Sequence, residues 1–448
     1  MAADGQDEPR STPAAALPSS LTADANCPPA QAEAPDSGDP ARLGWWTRIA
    51  VRAGQVVAAM SRRAGRGSGS IIGGRVTLAL DPSALRRLAA GRRVVLVSGT
   101  NGKTTTSHML AAALGSLGPV AHNALGSNMA DGAVAALAER LDAKRAVLEI
   151  DELHLASVAR CCDPSAIVLL NLSRDQLDRA AEVRRTAASI AGVLSELPGT
   201  TVLANADDPM TVWAAENAAG PVEWVAAGSK WRADSLSCPR CGRLLVETKA
   251  RWSCDCGLAR PQPVWWLDGE LACHLGSSIP LSLGLPGEVN RANALMALAA
   301  AGHARVPLRQ AGDAIAQVRQ VAGRYAAITR GPHVIRLLLA KNPAGWSATL
   351  SMLGTARPLV IAVNARDADG RDTSWLWDVD FAALDPRPTA ASGERAADVG
   401  VRLSYAGIDH HTEPDPLAAL GRLPAGDVDM VANYTAFYSL RQRLAAGE

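Results

Sequence analysis

From Gly91 onward the chain alternates two kinds of apolar pattern. Short runs rich in Val, Ile, Leu and Ala, at 94–97, 146–150, 166–170 and 201–204, have the length and character of buried strands. Between them, Ala- and Leu-rich stretches with apolar positions at helical spacing predict helices over 104–117, 130–142, 182–194 and 290–302. Strand and helix in alternation predict a parallel sheet with crossover helices. The rhythm stops between Trp231 and Trp266, where Cys, Trp, Arg and Pro are abundant, as expected of a small module held by a metal in place of a core. After Gly323 a second α/β pattern begins, with strands predicted over 334–339 and 359–363 and helices over 344–353 and 435–446. No internal repeat is visible.

Ahead of the first strand, Leu43-Gly44-Trp45-Trp46-Thr47-Arg48-Ile49-Ala50-Val51, with Arg62, Arg63 and Arg66 after it, reads as an aromatic and basic helix. Such a helix either packs on its own protein or touches a membrane surface. The first forty residues are rich in Pro, Ala, Ser and Asp and lack a basic stretch followed by an apolar one, so they read as a disordered tail and not as a signal peptide. The expected organisation is a tail over 1–40, an α/β unit over 41–325 carrying an insert at 231–266, and a second α/β unit over 326–448.

Composition narrows the picture further. At 448 residues and 48% hydrophobic, the chain can build two or three ordinary cores. Its formal net charge is +1, so no global electrostatic pull toward nucleic acid is expected. No run of eighteen apolar residues occurs, and eight cysteines in a chain this long are not a disulfide framework, so a cytoplasmic location is expected.

The chemistry is densest where the first predicted strand ends. Val94-Val95-Leu96-Val97 runs into Ser98-Gly99-Thr100-Asn101-Gly102-Lys103-Thr104-Thr105-Thr106, a glycine-bearing turn that opens a helix. Backbone N–H groups of such a turn and helix start point at nucleotide phosphates, Lys103 neutralises the outer ones, and the Thr104 hydroxyl reaches Mg²⁺. Gly99 and Gly102 keep side chains away where backbone must touch phosphate. The strict P-loop pattern fails at its first glycine, where Val97 stands. A carboxylate at the carboxyl end of a parallel strand faces the phosphate crevice, and 146–150 ends in Glu149-Ile150-Asp151-Glu152. Glu149 is the candidate Mg²⁺ ligand, with Asp151 and Glu152 as alternatives.

The short G-T-x-G-K-T-T form at 99–105 resembles the Mur ligase superfamily, ATP-dependent enzymes that activate a carboxylate and join it to an amine. Four further segments resemble the same superfamily in the same order: Asn171-Leu172-Ser173-Arg174-Asp175-Gln176-Leu177-Asp178, Asn205-Ala206-Asp207-Asp208-Pro209, Pro286-Gly287-Glu288-Val289-Asn290-Arg291-Ala292-Asn293-Ala294, and Gly323-Arg324. The resemblance implies an ATP site formed by Gly99, Thr100, Asn101, Gly102, Lys103, Thr104 and Thr105, with Asn290 and Asn293 near the adenine and Arg324 on the phosphates. It also implies Mg²⁺ on Thr104 and Glu149. Gln176 departs from the superfamily, which carries a metal-binding histidine there, and an amide is the poorer ligand.

Inside the insert, Cys238-Pro239-Arg240-Cys241 is followed, after twelve intervening residues, by Cys254-Asp255-Cys256. Four thiolates close a tetrahedral structural Zn²⁺ site. The second pair is C-x-C, one residue shorter than the usual knuckle. Cys161, Cys162 and Cys273 read as small apolar residues, and Cys161-Cys162-Asp163 lacks the glycine-flanked elbow of a nucleophile.

The second unit sharpens the family. Lys341-Asn342-Pro343-Ala344-Gly345 lies between a strand and a helix, where an anionic group can bind. Asp369-Gly370-Arg371-Asp372-Thr373-Ser374-Trp375-Leu376-Trp377-Asp378 reads as a polar crevice with aromatic walls or as a structured turn. These segments, with Asn433-Tyr434-Thr435-Ala436 and Arg174-Asp175-Gln176, resemble the MurT branch of the superfamily. That resemblance spans about residues 41–446. It implies a Mur ligase-type P-loop domain with an inserted four-cysteine zinc ribbon and a Rossmann-like C-terminal domain. It implies the ligase subunit of a lipid II isoglutaminyl synthase, working with a GatD-type glutaminase at the membrane surface and binding no nucleic acid. ATP would phosphorylate the α-carboxylate of D-glutamate in the stem peptide, ammonia from the partner would displace the phosphate, and Lys103 and Glu149 would serve the transfer. Asp372 is the expected aspartate near the ammonia path, with Asp369 and Asp378 as rivals. An amino-acid-adding ligase of the folylpolyglutamate type is the alternative; the ribbon and the Asp/Trp segment count against it. A nucleic-acid-binding ATPase is disfavoured by the neutral net charge.

Overall fold

The structure, a computed structural model, describes residues 43–64, 69–124, 126–174, 183–228, 233–248, 251–285, 287–319, 325–353 and 357–446. The expected tail, the Asp175–Asp178 stretch with Gln176, and Arg324 all lie outside the described residues.

The first sheet is built from β1 (Arg93–Ser98), β2 (Val120–His122), β3 (Arg145–Glu149), β4 (Ala166–Leu169), β5 (Thr201–Asn205) and β6 (Val222–Ala226). In the insert, β7 (Val246–Thr248) and β8 (Arg251–Ser253) form their own antiparallel pair. The chain then returns through β9 (Trp265–Asp268), β10 (Leu271–His274) and β11 (Ser277–Pro280), giving the order β11-β10-β9-β6-β5-β4-β1-β3-β2. Strands β1 to β6 run parallel to one another, the arrangement that alternating strands and helices predict, and β9 runs parallel to β6 but antiparallel to β10. The antiparallel edge of β9, β10 and β11 carries too few apolar positions to stand out in the sequence.

Both faces of this sheet are covered, which explains why its strands read as unbroken apolar runs. Val94 and Leu96 point into one core, with the helices Ala130–Glu139, Leu155–Cys162 and Val183–Leu194. Val95 and Val97 point into the other, with Lys103–Gly115, Glu288–His303 and Leu308–Ala316. The helix expected to run to 142 ends at Glu139, where Arg140 turns to pair with Asp142 at 3.0 Å. The helix expected from 290 starts earlier, at Glu288, directly after Gly287.

A second sheet comprises β12 (Tyr325–Arg330), β13 (His333–Leu339), β14 (Leu359–Ala362), β15 (Thr389–Ser392), β16 (His410–Thr412) and β17 (Gly426–Ala432), in the order β12-β13-β17-β14-β15-β16. All pairs but β12–β13 are parallel. It too is covered on both faces, by cores around Phe437 and Trp346. A bidentate pair, Arg336 Nε and Nη2 on the fully buried Asp429 at 2.6 and 2.8 Å, ties β13 to β17. The helix expected from 344 begins at Pro343, because Asn342 caps it by accepting from the Gly345 N–H at 2.8 Å.

The basic aromatic segment is a helix, Trp45–Arg63, followed by a second helix, Ser70–Leu80. Among the described residues no helix is long and apolar enough to cross a membrane.

Candidate functional site

In the first sheet β1 is flanked by β3 on one side and β4 on the other, so the chain's crossover direction reverses at its carboxyl end. The glycine turn sits at that reversal. Gly99 (φ +138°) and Gly102 (φ +87°) adopt backbone conformations that favour glycine. A Cβ on Gly102 would lie 2.4 Å from Asn293 Oδ1, so the turn is packed from outside as well as bent from within. The helix Lys103–Gly115 starts immediately after it.

Both chemistry-bearing side chains of that start are buried. Lys103 Nζ donates to Glu152 Oε2 at 2.8 Å and to the Thr100 carbonyl at 3.2 Å. Burial disfavours the charge of Glu152, but the Lys103 ammonium and their hydrogen bond outweigh it and hold the carboxyl below the usual range. Thr104 Oγ1 donates to Glu149 Oε1 at 3.0 Å. Glu149 Oε2 is buried and has no hydrogen-bond partner among the described residues. A carboxylate oxygen left orphaned beside a hydroxyl, at the end of a parallel strand, offers oxygens of the kind a hard divalent cation takes, with phosphates and water completing its shell. Thr104 and Glu149 therefore fit Mg²⁺. Of the two alternatives, Glu152 is engaged by Lys103, and Asp151 accepts from the Leu153 N–H at 3.1 Å.

The turn is clamped by residues whose roles the sequence does not announce. Asn171, two residues past the end of β4, accepts from the Asn101 N–H and donates to the Asn101 carbonyl, both at 2.9 Å. Thr100 exchanges hydrogen bonds at 3.0 Å with the Ser173 carbonyl and N–H. Asn123 pairs with both backbone groups of Glu149 at 2.8 Å, fixing the strand end that bears the orphaned carboxylate. Asn205 donates to the Leu170 and Gly228 carbonyls, and Asp208 caps the helix Pro209–Ala215 while accepting from Leu172. The shared signal is an Asn or Asp within a few residues of a strand end.

Beside the turn lies a cavity of about 500 Å³, lined by Asn101, Asn171, Asn205 and Asn293 from the first unit and by Ala344 and Ser347 from the second. Its mixed polar and apolar lining suits a nucleoside. Asn290, one turn before Asn293, is half-buried and outside that lining. The insert contributes Asp234 and Ser235 to the same wall. A Cβ on Gly345 would lie 3.4 Å from Asn101 Oδ1, so the capped start of the second unit's helix abuts the turn.

In the insert, the Sγ atoms of Cys238, Cys241, Cys254 and Cys256 all lie within 4.8 Å of one another. Gly242 and Gly257, both at positive φ, turn the chain after each pair, so the short C-x-C spacing closes without a second knuckle. The Leu258 backbone N–H, followed by bonds from the other thiols, pulls the Cys256 thiol down to about 7. The cluster fits a four-thiolate ion. Trp252 anchors it by donating to the Ala206 carbonyl at 3.2 Å, and Arg260 pairs with Asp207 at 2.6 Å.

The Asp/Trp segment resolves into a turn and a short 3-10 helix, Ser374–Asp378. Its two tryptophans do not form walls of one crevice. Trp375 is buried against Trp346, whereas Trp377 faces outward against Tyr405, with the Arg402 guanidinium 4.4 Å from its ring. The three candidate aspartates differ in surroundings. Asp369 is buried and holds the first turn of the last helix by accepting from the Thr435 N–H and hydroxyl. Asp378 pairs with Arg174 at 3.4 Å. Asp372 is exposed, and the Ser374 N–H and hydroxyl hold its carboxyl below the usual range.

Residues 97–301 match the Mur ligase middle domain family, and residues 339–437 match the MurT ligase C-terminal family. Two curated relatives are similar over most of their length. One is the lipid II isoglutaminyl synthase (glutamine-hydrolyzing) subunit MurT of Staphylococcus aureus (strain N315), 32% identical over 81% of this chain and 88% of its own. The other is the protein of the same name from Streptococcus pneumoniae (strain ATCC BAA-255 / R6), 31% identical over 85% of this chain and 93% of its own. Among solved structures, the pseudomurein peptide ligase type C of Methanothermus fervidus has a similar fold (TM-score 0.65, 20% identity, 80% of this chain and 79% of that one). So does MurF of Acinetobacter baumannii (TM-score 0.60, 16% identity, 83% and 80%).

Proposed function

This chain belongs to the family of MurT subunits of lipid II isoglutaminyl synthase, and from that premise we propose that it is the ligase subunit that amidates lipid II in peptidoglycan synthesis. The observation that carries the reading is the orphaned Glu149 carboxylate oxygen beside Thr104, at the mouth of a glycine turn whose lysine is already buried.

The reaction has two parts. A carboxylate acylates poorly because its leaving group would be oxide. The γ-phosphoryl of ATP is transferred to an oxygen of the D-glutamate α-carboxylate and ADP departs, leaving an acyl phosphate. Ammonia then attacks the acyl carbon, phosphate leaves with the bonding pair, and the nitrogen loses a proton to give the carboxamide. Mg²⁺, held by Thr104 and Glu149, would supply positive charge to the phosphates. Lys103 releases Glu152 and turns its ammonium to the phosphate oxygens, where charge accumulates during transfer. Gly99, Thr100, Asn101, Gly102 and Thr105 shape the phosphate cradle, Asn293 and the cavity take the nucleoside, and Arg324 and Asn290 are the remaining family-derived candidates. The four cysteines hold Zn²⁺ in a structural role. Ammonia comes from a glutaminase partner of the GatD type, and Asp372, exposed on the second unit, meets it.

The test is mass spectrometry of lipid II after incubation with this chain, a candidate glutaminase partner, glutamine and Mg-ATP, each omitted in turn. Conversion of one stem carboxylate to a carboxamide, needing every component, is expected. ATP hydrolysis driven by a different acid, with lipid II unchanged, would overturn the substrate assignment.

A further inference from the structure

The first helix, Trp45–Arg63, is built inside out. Its buried face holds mostly small residues: Thr47, Ala50, Val51, Gly54 and Ala58. It meets the second helix backbone to backbone, since a Cβ on Gly54 would lie 2.4 Å from the Gly73 carbonyl oxygen. The large apolar side chains point the other way. Trp45, Ile49, Val56 and Met60 are 71%, 47%, 59% and 63% exposed. Their spacing puts all four on one stripe, and Arg52 and Arg63 share that face at the helical period. A helix whose task is only to cover its own core directs such side chains inward.

The charge around the stripe is one-sided. Between Leu43 and Leu80 the sequence has six arginines and no Asp or Glu, although the whole chain carries a net charge of only +1. The second helix leaves Ile71, Ile72 and Arg75 exposed as well.

We propose that this helix pair is a docking surface for an anionic lipid bilayer, with Trp45, Ile49, Val56 and Met60 entering the headgroup–acyl boundary and Arg52 and Arg63 meeting lipid phosphates. The inference deepens the proposed function and rests on its lipid-linked substrate. A bilayer supplies an apolar layer for the stripe and negative charge for Arg52 and Arg63, which share its face. A second copy of the same face supplies only the first and sets Arg52 and Arg63 against like charges. The surface is also coupled to the site. A Cβ on Gly74 would lie 2.0 Å from the Asp131 carbonyl oxygen, and Arg75 Nε pairs with Asp131 at 3.0 Å, so the second helix rests on the start of Ala130–Glu139. The residues just before that helix, Ser127 and Asn128, accept from Asn123 and from the Asp151 N–H beside Glu149. Docking thereby brings the carboxylate edge of the first sheet toward the lipid that carries the substrate.

The experiment is co-sedimentation of the full chain with vesicles of phosphatidylglycerol and phosphatidylcholine in equal parts, against phosphatidylcholine alone, for wild type and an Ile49→Glu, Val56→Glu double variant. Both positions are exposed, so an unchanged melting temperature is expected to confirm folding. Wild type is expected to sediment with the anionic vesicles, less as salt rises, and the variant to partition at least about tenfold more weakly. With glutaminase partner, glutamine and Mg-ATP present, amidation of vesicle-borne lipid II should fall in the variant, while amidation of a water-soluble short-chain analogue should not. Equal partition of the two proteins would overturn the proposal, as would a wild-type dimer on gel filtration that the variant abolishes. Vesicle binding lost in the variant, with no carboxamide formed by either protein, would support the surface and remove the amidation reading.

Discussion

At the residue scale, the sharpest expectations concern Gly102 and Asp372. Gly102→Ala forces a left-handed conformation on a side chain, costing about 1–2 kcal/mol, and drives its Cβ toward Asn293 Oδ1. ATP affinity measured by calorimetric titration is expected to drop at least about tenfold, since a misplaced turn no longer matches the phosphates. Adding Asn293→Ala should relieve the contact and leave the backbone strain, so only part of the affinity returns; complete restoration would show that strain is unimportant. For Asp372→Asn, glutamine-dependent amidation should be lost with ATP binding retained, because the side chain is exposed and its structural bonds are confined to its own turn. Wild-type turnover in that variant would remove Asp372 from the reaction. The resemblance put Asp372 ahead of Asp369, and packing adds that Asp369 is spent on the Thr435 turn.

At the element scale, β2 carries a pH liability into the fold. Burial, and then the neighbouring His108, push the His122 imidazole down to about 3 from 6.5. An unfolded chain therefore takes up a proton below about pH 6.5 that the native chain refuses until about pH 3, so this contribution to stability is full above that window and shrinks as pH falls through it. By pH 5 the loss is about 2 kcal/mol. Denaturant melts at pH 7 and pH 5 should show it, and His122→Gln should flatten the difference; an unchanged pH dependence would refute the assignment. The insert behaves as a separate element. Its Cys238, Trp252, Cys254 and Leu258 form a small apolar cluster with Val212 of the helix Pro209–Ala215, too slight to hold the insert without an ion. A strong chelator is expected to make its thiols reactive and to weaken ATP binding, because Asp234 and Ser235 belong to the cavity wall, while the far-ultraviolet signal of the two sheets persists. Unchanged thiol reactivity would argue against a metal.

At the whole-molecule scale, the cavity beside the glycine turn belongs to neither unit alone. Asn205 and Asn293 come from one side and Ala344 and Ser347 from the other, and Arg174 links Asp234 to Asp378 across the same junction. A ligand that binds only the assembled arrangement stabilises both units, by about 2.7 kcal/mol at a hundred times its Kd. Differential scanning calorimetry with a non-hydrolysable ATP analogue should therefore raise the melting of both units together. A shift confined to one transition would place the nucleotide on one unit only.

The sequence by itself determined the parts whose signals are local. Uninterrupted apolar runs marked the central strands, the glycine turn marked the start of the helix Lys103–Gly115, and cysteine spacing marked the four-thiol cluster, because each depends on residues close together along the chain. Tertiary structure decided the rest. Asn171 reaches Asn101 across seventy positions, and Asn123 reaches Glu149 across twenty-six, so no window of sequence contains the clamp or the fixed strand end. The inside-out first helix belongs to the same class: its aromatic and basic character is written in the chain, but only packing against the small residues Gly54 and Gly73 shows which side chains are left for another surface.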